Sequence, residues 1–293
     1  MGAHTPLRKG DVLVFEHIPK NAGSTFRTVL SRWFGDTHVK HTNVFDPKPR
    51  LKRLQARFSD EPPIRALSTH IGYGLHERLP GDLHYVHFTF LRDPVDRTIS
   101  HYYYALDKGK IEEGTSLIDF CNMDAPAVFP IWPRNFQTVF LSGLRVRALL
   151  DGELPGPEDH AEALLEQAIR NLDTFPALGL VSRYEESLLL FGHTFGWPLS
   201  ALCYVTVNKG TRRPRQVELT DEEREVVMRV NKLDFALYQH AERRFERLLA
   251  ERVPDVPGQL RVLRRLNRAY RSAPHVANKI IRTSTRMRRA LGA

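Results

Sequence analysis

The sequence predicts an α/β fold in which a central, mainly parallel sheet is flanked by helices. Three observations carry that prediction. Short apolar runs of strand length, such as DVLVFEHI at residues 11–18, alternate with segments whose apolar residues recur at helical spacing. The first run feeds a short loop and then a helical pattern, a strand–loop–helix unit. The 42% hydrophobic and 26% charged content of the 293 residues is that of an ordinary globular chain, with no internal repeat.

Asp11–Ile18 is too short for a helix and stops at Pro19. Phe26, Val29, Leu30, Trp33 and Phe34 then share one helical face. Ile64–His70 and His84–Leu91 read as further strands, the second rich in β-branched and aromatic residues. Asp93-Pro94 opens a helix through Tyr104, with proline at a tolerated first-turn position. Residues 112–157 mix Pro and Gly with no periodicity, and no element is predicted there. Glu158–Leu172 reads as a helix, Ala177–Ser182 as a short strand and Glu185–Phe195 as a helix. Thr220 to Glu223 forms a capping box for a long helix reaching Leu248, with Asn231 as a point of interruption. Pro254 and Pro257 close the globular part, which divides the chain into a domain at 1–257 and a tail at 258–293.

The net charge is +9, but ten Arg and Lys and no acid lie in residues 258–293. Subtracting those ten leaves −1 for residues 1–257, so the basic character belongs to the tail and nucleic acid is not an expected partner. The tail reads as a basic amphipathic helix that could meet a membrane surface, a polyanion or its own domain. Cys121 and Cys203 make neither a disulfide framework nor a zinc set, which suits a reduced compartment. No apolar run reaches membrane-spanning length, and the first residues lack the apolar core of a secretory signal. A cytoplasmic protein, with peripheral membrane contact through the tail left open, is the expectation.

Two motifs carry chemistry. In HIPKNAGSTF (His17–Phe26) a strand enters a Gly-containing loop and then a helix N-terminus, where unpaired N–H groups and the helix dipole favour an anion. Lys20 adds a cation, Gly23 permits close backbone approach, and Ser24 and Thr25 offer hydroxyls. The loop is P-loop-like, but Lys20 precedes Gly23 by three residues. The Walker A order places lysine directly after glycine, which disfavours a nucleotide kinase or NTPase. In FLRDPVDRTISHYYY (Phe90–Tyr104), Arg92 sits at a strand end and Ser100 two turns into the next helix, a charged fork and a hydroxyl suited to a phosphate.

Together these motifs resemble the PAPS-dependent sulfotransferase superfamily, and within it the family 2 branch of carbohydrate-type enzymes. The stretches LGLVSRYEESL (Leu178–Leu188) and LDFALY (Leu233–Tyr238) extend the resemblance over roughly residues 11–250. It implies a P-loop-like three-layer fold and transfer of a sulfuryl group from PAPS to a hydroxyl, with PAP as product. It further implies that Lys20, Asn21, Ala22, Gly23, Ser24 and Thr25 form the 5′-phosphosulfate loop, and that Arg92 and Ser100 hold the 3′-phosphate. The loop containing Lys209, Arg212 and Arg213 lies where family members close over the nucleotide. Lys20 is also expected to stabilise the leaving group catalytically.

No metal is required, because cationic side chains can neutralise that leaving group. His70, which closes a predicted strand, is the expected general base, as in a comparable segment of the family. Some glycan-modifying members carry a second histidine two residues on; here Gly72 stands there, which casts doubt on a paired-histidine mechanism. Glu16 and His17 are fallback bases, of which only one can face the site because adjacent strand residues point apart. The acceptor is expected to be a carbohydrate hydroxyl. A non-catalytic polyanion binder using the tail is the rival from another class; it leaves both phosphate motifs without a role.

Overall fold

The structure, a computed structural model, describes residues 7–8, 10–35, 39–42, 47–59, 63–123, 134–152, 161–206, 213–214 and 217–272. In chain order the first elements are β1 (Val12–Glu16), α1 (Gly23–Phe34), β2 (Val39–Thr42), α2 (Pro47–Arg57), β3 (Ala66–Thr69), β4 (Tyr85–Leu91) and α3 (Pro94–Asp107). Then come α4 (Leu117–Asn122), α5 (Phe136–Leu141), α6 (Leu144–Asp151), α7 (Ala161–Asp173), β5 (Ala177–Leu180) and α8 (Tyr184–Phe195). The last are α9 (Asp221–Val230), α10 (Lys232–Arg252) and α11 (Val256–Ser272).

The five strands form one sheet in the order β2-β3-β1-β4-β5, with every pairing parallel. All five residues of β1 are buried, as a central parallel strand covered on both faces requires. The chain fills one side of β1 before crossing to the other. The crevice beyond the carboxyl ends of β1 and β4 is therefore the topological switch point, where open α/β sheets take their ligands.

One face is an aromatic core: Phe15, Phe88 and Phe90 of the sheet meet Phe26 of α1 and Phe191 of α8. On the other face Val12, Val14 and Leu67 pack with Leu54 of α2 and Val146 and Leu150 of α6. These layers are those of the predicted P-loop-like fold. The predicted strands at 11–18, 64–70, 84–91 and 177–182 are all present, each shorter than predicted.

Strand β2 and helix α5, which the sequence did not predict, each lack the local pattern that would announce them. Strand β2 is four residues at the sheet edge, VKHT, too short and polar for a strand pattern. Helix α5 is buried at all six positions, so it has no polar face to create a 3.6-residue period. The capping box stands: Thr220 Oγ1 accepts from the Glu223 N–H at 3.2 Å, and the Glu223 carboxylate accepts from the Thr220 N–H at 3.0 Å. Asn231 does interrupt the long helix. Buried, it turns its amide back to donate to the Val227 carbonyl (3.0 Å) and to Thr98 Oγ1 (3.1 Å).

Helix α11 starts before residue 258 and buries Leu263, Asn267 and Tyr270, the last accepting a hydrogen bond from Arg32 of α1 at 2.9 Å. Residues 258–272 thus pack on the body, and the rest of the tail lies outside the described residues. Among the described residues no helix is long and apolar enough to cross a membrane, and no group of three or more His, Cys, Asp or Glu is arranged to hold a metal ion.

Candidate active site

The loop after β1 is built by two left-handed residues, Lys20 (φ 73°) and Ala22 (φ 58°), each a strained conformation for a side chain with a Cβ. Turns of this kind gather successive N–H groups into an anion-binding concavity. The N–H groups of Ala22, Gly23 and Ser24 donate to no backbone carbonyl among the described residues, and they sit at the start of the three-turn helix α1. Asn21 shapes this loop from beneath. It is buried, its N–H donates to the Ile18 carbonyl at 3.2 Å, and its amide donates to the Phe90 carbonyl and to Gln137 Oε1, both at 2.8 Å. Gly23 has a steric reason as well: a Cβ there would lie 1.9 Å from the His17 ring.

The end of β4 closes on the same loop. Arg92 donates through Nη1 to the Lys20 carbonyl (2.7 Å) and through Nε to Asp96 (2.7 Å). Gln137 of α5 joins the two phosphate motifs: its Oε1 accepts from Asn21 and from the Arg92 N–H (3.0 Å), and its Nε2 donates to the Arg92 carbonyl (2.9 Å). Gln137 is held in turn by buried Asp234 of α10, which accepts from the N–H groups of Gln137 (3.1 Å) and Thr138 (2.8 Å).

Asp96 and Ser100 lie one turn apart on α3, on the edge that leads to Tyr104. Asp96 also accepts from Arg213. Of the closing loop's three named cations Arg213 is described; Lys209 and Arg212 lie outside the described residues. Lys20 places its ammonium 4.1 Å from the centre of the Tyr104 ring. Burial pushes its pKa down to about 8, and Arg92 and Arg213 push the same way while Asp107 opposes them. Three cations, Lys20, Arg92 and Arg213, therefore converge at the switch point around the single carboxylate of Asp96, leaving a positive excess that suits an anion. The loop geometry, the undonated N–H groups and this charge fit the phosphates of PAPS. The two motifs share a wall instead of occupying distant surfaces.

On the next strand, His70 follows β3 and is half-buried. Its pKa is lowered to about 4, chiefly by burial, with Arg27 and Arg145 adding to the shift and a hydrogen bond to the His17 backbone opposing it. The ring is neutral at physiological pH, and its Nδ1 has no partner among the described residues. Arg145, buried on α6, donates to the His70 carbonyl at 3.4 Å. The His17 ring centre lies 4.0 Å from that of His70.

Glu16 faces the opposite side of the sheet, 3.0 Å from His87, so of the two fallback bases only His17 shares the crevice with His70. Glu16 is pushed up to about 8 by burial and His87 down to about 3, so the two form a neutral pair. His76 lies in a 3-10 turn, Leu75–Arg78, with its ring 4.4 Å from His87 and away from the loop. Gly72, where a second histidine would stand, has φ 132°, and a Cβ there would come within 3.2 Å of the Phe140 carbonyl.

Sequence reasoning missed Gln137, Asp96 and Arg27. Arg27 lies on the second turn of α1, within electrostatic reach of both His17 and His70. The Asp96 position was legible, in the first turn of the helix that Asp93-Pro94 opens, four residues after Arg92. Gln137 had no local signal, because its partners are 45 and 116 residues away in sequence.

With the geometry in place, comparison with known proteins points to one kind of chemistry. The model of the galactose-3-O-sulfotransferase family matches residues 3–290. Heparan-sulfate 6-O-sulfotransferase 2 of Danio rerio is 26% identical over 283 residues, a match covering 80% of this chain and 58% of that protein. The chain thus spans well under two thirds of the length of this relative.

Proposed function

Because the chain belongs to the galactose-3-O-sulfotransferase family, a family of carbohydrate sulfotransferases, we propose that it transfers a sulfuryl group from PAPS to a carbohydrate hydroxyl, with His70 as general base. The observation that carries this reading is the meeting, at one switch point, of a cationic N–H-lined loop and a neutral histidine on the adjacent strand.

PAPS, when bound, supplies the activated sulfuryl group. The N–H groups of Ala22, Gly23 and Ser24 and the Ser24 and Thr25 hydroxyls hold the 5′-phosphosulfate, and Lys20 neutralises the charge that grows on the bridging oxygen. Arg92, with its Nη2 uncommitted among the described residues, holds the 3′-phosphate together with Ser100, and Arg213 closes over it. His70 accepts the proton of the acceptor hydroxyl. Its low pKa keeps the lone pair free at neutral pH, and a neighbouring sulfuryl group raises that pKa toward the value a base needs. The family model and the relative differ in sugar and in hydroxyl position, so the acceptor proposed is a carbohydrate hydroxyl, with galactosides tested first.

The expected outcome for His70→Ala is retained PAP binding with turnover lower by about 10²–10⁴-fold. Near-parental turnover removes His70 from the chemistry. A thermal-shift panel tests the donor independently: PAP stabilises the protein and ATP and GTP do not. Equal stabilisation by ATP would favour a nucleotide kinase or NTPase instead.

A further inference from the structure

We propose that His17 is a positioning residue for the base: its buried ring, seated in the space that Gly23 leaves, forms the wall that fixes the His70 imidazole against the donor loop. The inference rests on the reading of His70 as the base and deepens it.

His17 is 4% exposed. Its ring stacks on Phe15 (centroids 5.2 Å apart, planes 18° apart) and its centre lies 4.0 Å from that of the His70 ring. A methyl group at residue 23 would lie 1.9 Å from His17 Cδ2 and 2.0 Å from Nε2, so the ring occupies the volume that a side chain there would need. The backbone repeats the link: the His17 N–H donates to the Thr69 carbonyl at 2.9 Å, and the His70 ring is hydrogen-bonded to the His17 backbone. One residue, three positions before Lys20, thereby joins the histidine that follows β3 to the root of the donor loop.

The role is one of shape. His17 Nδ1 has no partner among the described residues. Burial, together with His70, Arg27 and His41, holds the ring neutral. The charged and titratable groups facing His70 are His17 from β1's end, Arg27 from α1 and Arg145 from α6. A base wedged this way keeps one orientation while the donor loop fills, and a displacement of about 1 Å at a reacting group can cost on the order of 10²-fold in rate.

Three variants of the full chain test this: His17→Ala, His17→Phe and Gly23→Ala, together with the Gly23→Ala/His17→Ala double variant. PAP affinity, kcat with a galactoside or heparan oligosaccharide, and the His70 titration followed by NMR in PAP-saturated protein are measured. His17→Ala is expected to lower kcat roughly 10²-fold with PAP affinity near parental. It should also raise the His70 pKa from about 4, because water admitted beside the ring relieves the burial that depresses it. His17→Phe, which restores an aromatic wall, recovers most of kcat. Gly23→Ala loses kcat by pushing the ring aside, and in the double variant the two losses do not multiply.

Parental kcat and an unmoved His70 titration in His17→Ala overturn the proposal. So does a loss confined to PAP affinity, or losses that multiply in the double variant. Normal turnover of His70→Ala instead brings down the base assignment itself, which keeps the two failures distinct.

Discussion

Replacing Gln137 with alanine tests whether the two phosphate motifs work as one unit. The Gln137 side chain is fully buried and makes three hydrogen bonds, one to Asn21 and two to the backbone of Arg92, at 2.8–3.0 Å. In the alanine variant Asn21 keeps its bond to the Phe90 carbonyl, so its amide is not orphaned. The Arg92 N–H is. An unsatisfied buried group costs about 1–3 kcal/mol, and the lost side-chain volume adds to it. A destabilisation of about 2–3 kcal/mol corresponds to a Tm lower by roughly 5–10 °C for a chain of this size.

The functional effect is separate. With the Lys20 loop and Arg92 no longer braced against each other, part of the binding free energy must reorder them, and PAP affinity is expected to fall about 10-fold, or roughly 1.4 kcal/mol. Calorimetric titration with PAP beside thermal melts reads both quantities. Asn171→Ala serves as the stability control, because Asn171 is buried and donates to the Leu141 carbonyl at 2.7 Å, away from both phosphate motifs. If Gln137→Ala lowers Tm but binds PAP like the Asn171→Ala control, Gln137 is an ordinary core amide and the coupling argument fails.

Two pH predictions follow from burial. Lys20 titrates near 8 where its ordinary value is 10.5. Below pH 8 the folded and unfolded chains both carry the charge, and folding bears its desolvation. Between about 8 and 10.5 the folded chain gives up the proton first, so this contribution to stability improves as pH rises. PAP affinity runs the other way, weakening as pH climbs through about 8 because a neutral Lys20 no longer pairs with phosphate. Titrations across that range should show the decline in the parent and a flat, weaker profile in Lys20→Met; a flat parental profile would contradict it.

Glu16 is a carboxyl raised to about 8 from an ordinary 4.5, chiefly by burial, with His76 opposing. The unfolded chain ionises it first as pH rises, so its effect is to lower stability between about pH 4.5 and 8. Glu16→Gln should therefore match the parent near pH 4.5 and melt higher than the parent at pH 8. An unchanged difference between the two proteins across that interval would count against a protonated Glu16.

The parallel α/β architecture was legible because its cues are local. A buried strand is a short apolar run, an amphipathic helix repeats every 3.6 residues, and a helix start is marked by a cap such as Thr220 with Glu223. The strand–loop–helix unit that holds Lys20 to Thr25 was legible for the same reason, since those residues lie within six positions. Helix α5 was not, because a segment buried on every side has no polar face to announce it.

What the chain order alone determined is thus four of the five strands and several of the helices, and it marked Lys20 to Thr25, Arg92 and His70 as the site candidates. Tertiary structure decided the rest. Folding seated Gln137 between two loops far apart in the chain, turned His17 toward His70 and Glu16 toward His87, and brought Lys20, Arg92 and Arg213 together. Those outcomes depend on which strands become neighbours in the sheet, and on the burial that follows. Burial is what moves Lys20 and His70 off their ordinary titration ranges, and it exists only once distant segments have closed over them.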